Sequence, residues 1–340
     1  MGGVTIMRRR IGICGVLVLL LAACANVPGL APASRAVVLA MPYIPNVQFS
    51  QYYVAASRGY YAAEGLNVTF DYNFETDVVQ RVAQGTVQFG MASGDSVLLA
   101  RAQGLPVRTI ATTSQQFPTV FYSKADAGIR TPADLKGRTV GIPGRFGASY
   151  IGLRAILYAS QMSEADLTIQ EIGFAQVPAL LEDKVEVASG YGNNEPVQLE
   201  RQGVALNIIR VADIYPLASD GIIAGESLIS GDPALVQGFV RATLRGMADV
   251  IADPDAAFTI ALTFIPELAA ADAATQDAQR AVLRATLPYW QSDTTQRDGL
   301  GTTNLMNWQA THEFLRAAAI LQQDVDVSQA FTNEFVAGSR

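Results

Sequence analysis

The sequence predicts an α/β protein of two lobes, with a two-strand hinge between them and a helical C-terminal region packed on lobe 1. Three observations predict it. From Ala36 onward short β-branched runs alternate with segments of helical period, the pattern of βαβ units and of a parallel sheet covered by helices. That alternation occurs twice, before and after Thr131-Pro132. Beyond Ile222-Ile223-Ala224 the apolar spacing is helical to the end.

In the first set, Val37-Val38-Leu39-Ala40-Met41 precedes a helix at 51–63, and Val68-Thr69-Phe70 precedes one at 77–83. A strand at 87–91 leads into a helix at 96–101, and 107–111 follows as a strand. The second set has Thr139-Val140-Gly141-Ile142, a helix at 148–160, a strand at 167–172, a helix at 177–181, a strand at 185–188, a helix at 195–201 and Ile208-Ile209. The tail holds helices at 233–251, 256–264, 271–287 and 305–321. Asp232-Pro233 and Asp253-Pro254 read as starts in which Asp caps and Pro occupies the first turn. Connections at 119–123 and 219–224 are the expected crossings, so lobe 1 is 36–121 with 222–340 and lobe 2 is 122–221.

The N-terminus carries a different signal. Arg8-Arg9-Arg10, an apolar run at 11–21 and Leu21-Ala22-Ala23-Cys24 make a charged region, a short hydrophobic region and a lipobox. The run is shorter than the ~20 residues that span hydrocarbon. Residues 1–23 are therefore expected to be a lipoprotein signal peptide, with lipid on Cys24 and a Pro-containing, aperiodic tether at 24–35. The alternative is an ordinary secretory signal with a chance cysteine. Acyl chains contribute ~0.8 kcal/mol per buried CH₂, enough for two or three to hold a domain at the extracytoplasmic face of the cell membrane.

Processing changes the charge and cysteine count. The whole chain has net charge −7 and two Cys; losing three Arg and Cys14 gives −10 and leaves Cys24 alone. One acylated cysteine permits no disulfide, thiolate nucleophile or sulfur metal site, and no metal or cofactor is expected. An acidic chain without clustered Lys and Arg argues against nucleic acid.

Four stretches resemble a known family: Tyr43-Ile44-Pro45-Asn46; Ala56-Ser57-Arg58-Gly59-Tyr60-Tyr61-Ala62-Ala63-Glu64-Gly65-Leu66; Gly85-Thr86-Val87-Gln88-Phe89-Gly90; and Thr131-Pro132-Ala133-Asp134-Leu135-Lys136-Gly137-Arg138-Thr139-Val140-Gly141. They are similar to type II periplasmic-binding-fold proteins related to alkylsulfonate and thiamine-pyrimidine-precursor binding proteins. Gly144 to Tyr150 and Gly190 to Pro196 look closest to the branch that binds riboflavin or pyrimidine precursors. The resemblance implies the solute-binding component of an ATP-driven importer, with permease and ATPase on other chains. Gly-x-x-x-x-Gly-Lys-Ser/Thr is absent, so this polypeptide is not expected to hydrolyse ATP. The binding component itself is expected to be a monomer.

In an open α/β sheet the ligand crevice lies at the C-terminal ends of the parallel strands. Tyr43, Pro45, Asn46 and Phe49 follow the first strand and suit a planar heterocycle, unless Pro-Asn is only a turn capping the next helix. Ser93 and Asp95 follow the third; a plain helix cap explains Asp95 as well. Phe146, Ser149 and Tyr150 follow a second-lobe strand, in a loop where Gly144-x-x-Gly147 lacks the dinucleotide spacing. Tyr191, Asn193 and Glu195 combine an aromatic face, an amide and a carboxylate, against a reading of turn plus helix cap. Tyr215, near the second crossing, is positioned to close on a ligand. Trp290 and Trp308 are expected to pack outside the site.

Arg145 is the only cation in these stretches. Acceptor carboxylates and rings suit a flat, uncharged, hydrogen-bonding ligand, riboflavin first and a formylaminopyrimidine-type thiamine precursor second. A pyrimidine-synthase-like enzyme of the same fold is the competing class. Such relatives depend on His and Cys chemistry, whereas the only His here is His312 and no paired carboxylates emerge. A sensor or adaptor is a third class, and no signalling module supports it.

Overall fold

The apolar runs become ten strands in the computed structural model, which describes residues 1–5 and 34–336. They are β1 (Arg35–Met41), β2 (Leu66–Tyr72), β3 (Phe89–Ser93), β4 (Val107–Thr112), β5 (Thr119–Lys124), β6 (Thr139–Ile142), β7 (Thr168–Glu171), β8 (Val187–Tyr191), β9 (Leu206–Arg210) and β10 (Asp220–Gly225). The chain divides into two units, Met1–Ala33 and Ser34–Arg340, and this fold belongs to the second. The lipobox with Cys24 and the apolar run at 11–21 lie outside the described residues. No helix among the described residues is long and apolar enough to cross a membrane.

Two five-stranded sheets form, in the orders β2-β1-β3-β10-β4 and β7-β6-β8-β5-β9. They share one topology. In each, β1 and β6 pair in parallel with both neighbours, while one strand, β10 or β5, runs antiparallel between two others. The sheets are thus mixed rather than purely parallel. The reversed strand is the one that arrives from the other lobe, and strand direction leaves no mark on an apolar run. β3 and β10 are buried along their whole length, the expected consequence of helices on both faces. β7, at an edge, is short and mostly exposed.

The crossings fall at 113–118 and 211–219, just N-terminal to the expected 119–123 and 219–224, because Thr119–Lys124 and Asp220–Gly225 are themselves sheet strands. The expected helix at 51–63 is two helices, Ser50–Ser57 and Tyr60–Ala63, broken at Gly59.

Helix Pro233–Ala252 starts on Asp232, whose side chain accepts from Leu235 N, and helix Pro254–Ala261 starts likewise on Asp253. The longer helix packs on Ser50–Ser57 over the first sheet, around Phe239, Val240, Met247 and Tyr53. The approach is close: a Cβ on Gly246 would lie 2.3 Å from the Gln51 carbonyl oxygen and 3.0 Å from Ala55. Gly246→Val should therefore cost roughly 3 kcal/mol by overpacking. A urea midpoint equal to wild type would show that the two helices can part without loss.

A second core cluster covers the other face of the first sheet and runs behind the hinge into the second lobe, joining Val97 and Leu98 to Phe117, Phe121, Ile151, Trp308 and Phe314. The C-terminal region accordingly touches both lobes. Phe314 on helix Leu305–Ala317 lies 5.6 Å from Tyr158 and 5.5 Å from Tyr215. Thr286, closing helix Ala273–Thr286, accepts a hydrogen bond from Asn193.

Candidate functional site

The cleft lies between the C-terminal ends of the parallel strands of both sheets. Its walls are Pro42, Tyr43, Phe49, Glu75 and Met91 from the first lobe, and Pro143, Phe146, Ser149, Phe174, Gln176, Tyr191 and Glu195 from the second. About 640 Å³ between them is free of protein atoms, part of it open to solvent. An outer groove continues past Tyr43, Phe174 and Glu195 to Asn46 and Leu268.

The lobes meet across this cleft. Tyr43 packs edge-on against Phe174, with ring centroids 4.7 Å apart at 79°, and Phe74 does the same with Phe146 at 5.3 Å. Tyr43 Oη donates to Glu195 Oε1 at 3.2 Å. Gly147, at φ +63°, lies so near the first lobe that a Cβ there would be 2.4 Å from Glu75 Oε2. These contacts describe a closed arrangement.

Glu195 opens helix Glu195–Arg201, and its carboxylate turns back on its own loop: Oε2 accepts from Tyr191 N at 2.9 Å, and Oε1 also accepts from Asn194 Nδ2 at 3.2 Å. Burial pushes its pKa up, against the pull of these hydrogen bonds. Burial and then the Glu195 charge raise the Tyr43 hydroxyl, so it remains a donor. Glu75 accepts from both Ser93 N and Ser93 Oγ at 2.6 Å. Behind it Asp95 is wholly buried with neither oxygen hydrogen-bonded. Its pKa is driven well up by burial and by the charges of Glu75 and Asp220.

Among the candidates from sequence, Tyr43, Phe49, Phe146, Ser149, Tyr191 and Glu195 come together in the cleft. Asn46 lines the outer groove, and its side chain accepts from Gln48 N, the helix-cap alternative. Asn193 faces a smaller chamber beneath the cleft. Ser93 and Asp95 sit behind the wall; Ser93, not Asp95, is the cap residue of helix Gly94–Ala102. Two candidates are corrected. Tyr150 turns aside to donate to Glu164 at 2.6 Å, because Glu164 gathers Tyr150, Arg145 and Arg154 on the outer surface. Tyr215 packs against Tyr158 and Phe314 behind the hinge. Trp308 packs in the core, whereas Trp290 lines the chamber rather than staying clear of the site.

Sequence reasoning missed Glu75, Phe74, Phe174 and Gln176. The rule that found the others would have found these: they follow β2 and β7, the edge strands, whose C-terminal ends were not followed. Arg145 is engaged by Glu164 and Glu171. No Lys or Arg is among the described residues lining the cleft. His312, on helix Leu305–Ala317, lies 2.9 Å from Asp324 and is not among the lining residues. No group of three or more metal-ligating side chains occurs among the described residues.

Two α/β lobes of one topology that meet over an aromatic cleft define the periplasmic-binding type of protein. The chain belongs to the NMT1/THI5 like family, whose model matches residues 46–257. It is 52% identical over 98% of its length, and 99% of the relative's, to the riboflavin-binding protein RibY of Chloroflexus aurantiacus. It is 26% identical over 88% of its length, and 92% of the relative's, to a 4-amino-5-hydroxymethyl-2-methylpyrimidine phosphate synthase of Legionella pneumophila. The fold matches the alkanesulfonate-binding protein SsuA of Xanthomonas axonopodis pv. citri bound to MOPS, with TM-score 0.66, 15% identity and coverage of 88% of this chain and 98% of that one. The likeness to a protein named for riboflavin binding supports a solute-binding role, and the structural likeness shows the fold.

Proposed function

We propose that this chain is the lipid-anchored, extracytoplasmic substrate-binding component of an ABC importer and that its cargo is riboflavin. The observation that carries the reading is the chemistry of the cleft: Tyr43, Phe49, Phe146, Phe174 and Tyr191 offer rings, Glu75 and Glu195 offer acceptors, and the described lining has no cation. A sulfonate or phosphate would meet two carboxylates and no Lys or Arg. A flat ring bearing N–H and O–H donors meets stacking faces and acceptors. The high identity to a protein named for riboflavin binding supports the same cargo.

The role is binding rather than catalysis, since the one His is not among the residues lining the cleft and the cysteines lie at 14 and 24. Residues 1–23 act as the signal peptide, 24–35 as the tether, and Cys24 carries the lipid. Residues 36–121 with 222–340, and 122–221, are the two lobes that close on the cargo, which passes to a permease and ATPase on other chains.

The test is titration of the full chain, purified in mild detergent, while riboflavin fluorescence is followed. Saturable quenching at low micromolar concentration or tighter is expected. No response, together with thermal stabilisation by a formylaminopyrimidine, would replace riboflavin by a pyrimidine precursor. Glu195→Ala should weaken binding by about tenfold, the loss of roughly one hydrogen bond to a charged acceptor; unchanged affinity would remove Glu195 from the site. Cys24→Ala should release the protein from membranes with binding intact, and retention there would overturn the anchor.

A further inference from the structure

Tyr43, Phe174, Gln176 and Glu195 line both the cleft and the outer groove, so the two spaces adjoin across these four side chains. The groove has about 1000 Å³ free of protein atoms, part of it open to solvent, which is ample for a chain of several heavy atoms. Asn46 of the first lobe, Gln176 and Gln198 of the second, and Glu267, Thr275 and Gln279 of the C-terminal helices meet there.

The two linings differ in kind. Rings dominate the cleft, whereas the groove presents amides, a hydroxyl and two carboxylates, with no Lys or Arg among its described lining residues. Gln176 stands at the junction. Its residue is only 3% exposed, and its side-chain amide has no hydrogen-bond partner among the described residues. Room for a partner lies beside it in both spaces, which a sealed polar atom lacks. Gln198 Nε2 donates to Asn194 Oδ1 at 2.8 Å, so its carbonyl oxygen is the end left to meet a ligand. Thr275 and Gln279 are one turn apart on helix Ala273–Thr286 and line the same wall. A hydroxyl both donates and accepts, and amides answer it in both senses.

We propose that the outer groove is the subsite for the ligand's hydroxylated chain, which leaves the ring beside Gln176 and runs along Gln198, Thr275 and Gln279 with its far end toward Glu267. This rests on the flavin reading. Ile265 and Leu268 in the groove wall supply apolar contact for the C–H edge of the chain. Glu267 makes the subsite selective, because a terminal phosphate would meet a carboxylate and no cation. The unphosphorylated flavin is therefore the preferred form. A chain bound here touches the second lobe and the C-terminal helices at once, so its contacts favour the closed state.

The experiment titrates the full chain in detergent with riboflavin, with lumiflavin, which keeps the ring but replaces the chain by a methyl group, and with riboflavin 5′-phosphate. Wild type is expected to prefer riboflavin to lumiflavin by at least about tenfold, the worth of one or two neutral hydrogen bonds. Gln198→Ala combined with Gln279→Ala should reduce that preference to about two- or threefold while leaving lumiflavin affinity within about twofold of wild type. Glu267→Lys should tighten binding of the phosphate ester about fivefold at low ionic strength, a gain that fades as salt is added, and leave riboflavin unchanged. Loss of affinity for riboflavin and lumiflavin alike in the double variant is the mark of a merely structural role and overturns the subsite. Equal wild-type affinity for those two flavins, or no gain for the phosphate ester with Glu267→Lys, overturns it with the flavin reading intact. Binding of no flavin overturns the flavin reading, and the subsite falls with it. If the double variant fails to fold, by thermal melt, Glu267→Lys decides, since that side chain is exposed.

Discussion

Gly147→Val should weaken riboflavin binding roughly 10- to 100-fold while leaving each lobe folded. Gly147 holds φ +63° at the start of helix Gly147–Ala159, a conformation that costs an L-residue with a side chain about 1–2 kcal/mol. A Cβ would also stand 2.4 Å from Glu75 Oε2. That carboxylate is not free to swing aside, because its other oxygen accepts two 2.6 Å hydrogen bonds from Ser93. The lobes separate instead, since separation relieves the clash at the expense of the Tyr43–Glu195 hydrogen bond and the Phe74–Phe146 contact. A penalty of 1.4 kcal/mol on the closed state is a factor of ten in affinity. Flavin titration reads the affinity, and small-angle scattering reads whether the ligand-saturated variant is more open than wild type. Wild-type affinity with a wild-type radius of gyration would sink the idea that this approach governs closure. A Gly147→Ala variant should fall between the two, with the same backbone penalty and less bulk.

The depth to which this site could be read in the sequence follows from what each signal encodes. Apolar runs locate buried strands well, and twelve of the thirteen residues of helix Gly147–Ala159 and all seven of Glu195–Arg201 lie where periodicity and turn residues put them. Runs do not encode direction, so the reversal of β5 and β10 was illegible, and with it the placement of the crossings. β5 is legible as a strand, since Thr119-Val120-Phe121-Tyr122 is β-branched and aromatic, but a segment that crosses between lobes and then joins a sheet carries no separate mark of where the crossing ends. Tyr43, Tyr191 and Glu195 were found because they follow central strands. Tyr150 and Tyr215 were misplaced because a loop's position says which end of the sheet a residue occupies and not which way its side chain points. That direction is decided by partners distant in sequence, Glu164 for Tyr150 and Phe314 for Tyr215. The inner chamber was invisible for the same reason, since it is assembled from positions 51, 193, 220 and 286.

Asp220→Asn is expected to make the unliganded protein more stable at pH 8 and to flatten the dependence of its stability on pH. Burial, followed by the charge of Glu75, raises the Asp220 pKa from 3.8 to about 7, with the Tyr191 hydroxyl pulling the other way. The folded state therefore keeps a proton that the unfolded chain releases near pH 4. Between about pH 4 and pH 7 the folded state binds more protons, so stability falls as pH rises through that window. The contribution is fully present below pH 3.8 and is lost as pH passes 7. A gap of about three pH units corresponds to at most on the order of 4 kcal/mol. Asn has nearly the same shape and no charge to desolvate, so its advantage should be largest at pH 8 and shrink toward zero near pH 4. Thermal midpoints of both proteins from pH 4 to pH 8 measure it, and a constant offset across the range would show that Asp220 does not titrate there. Asp95 and Glu195 are raised in the same direction and keep some slope in the variant.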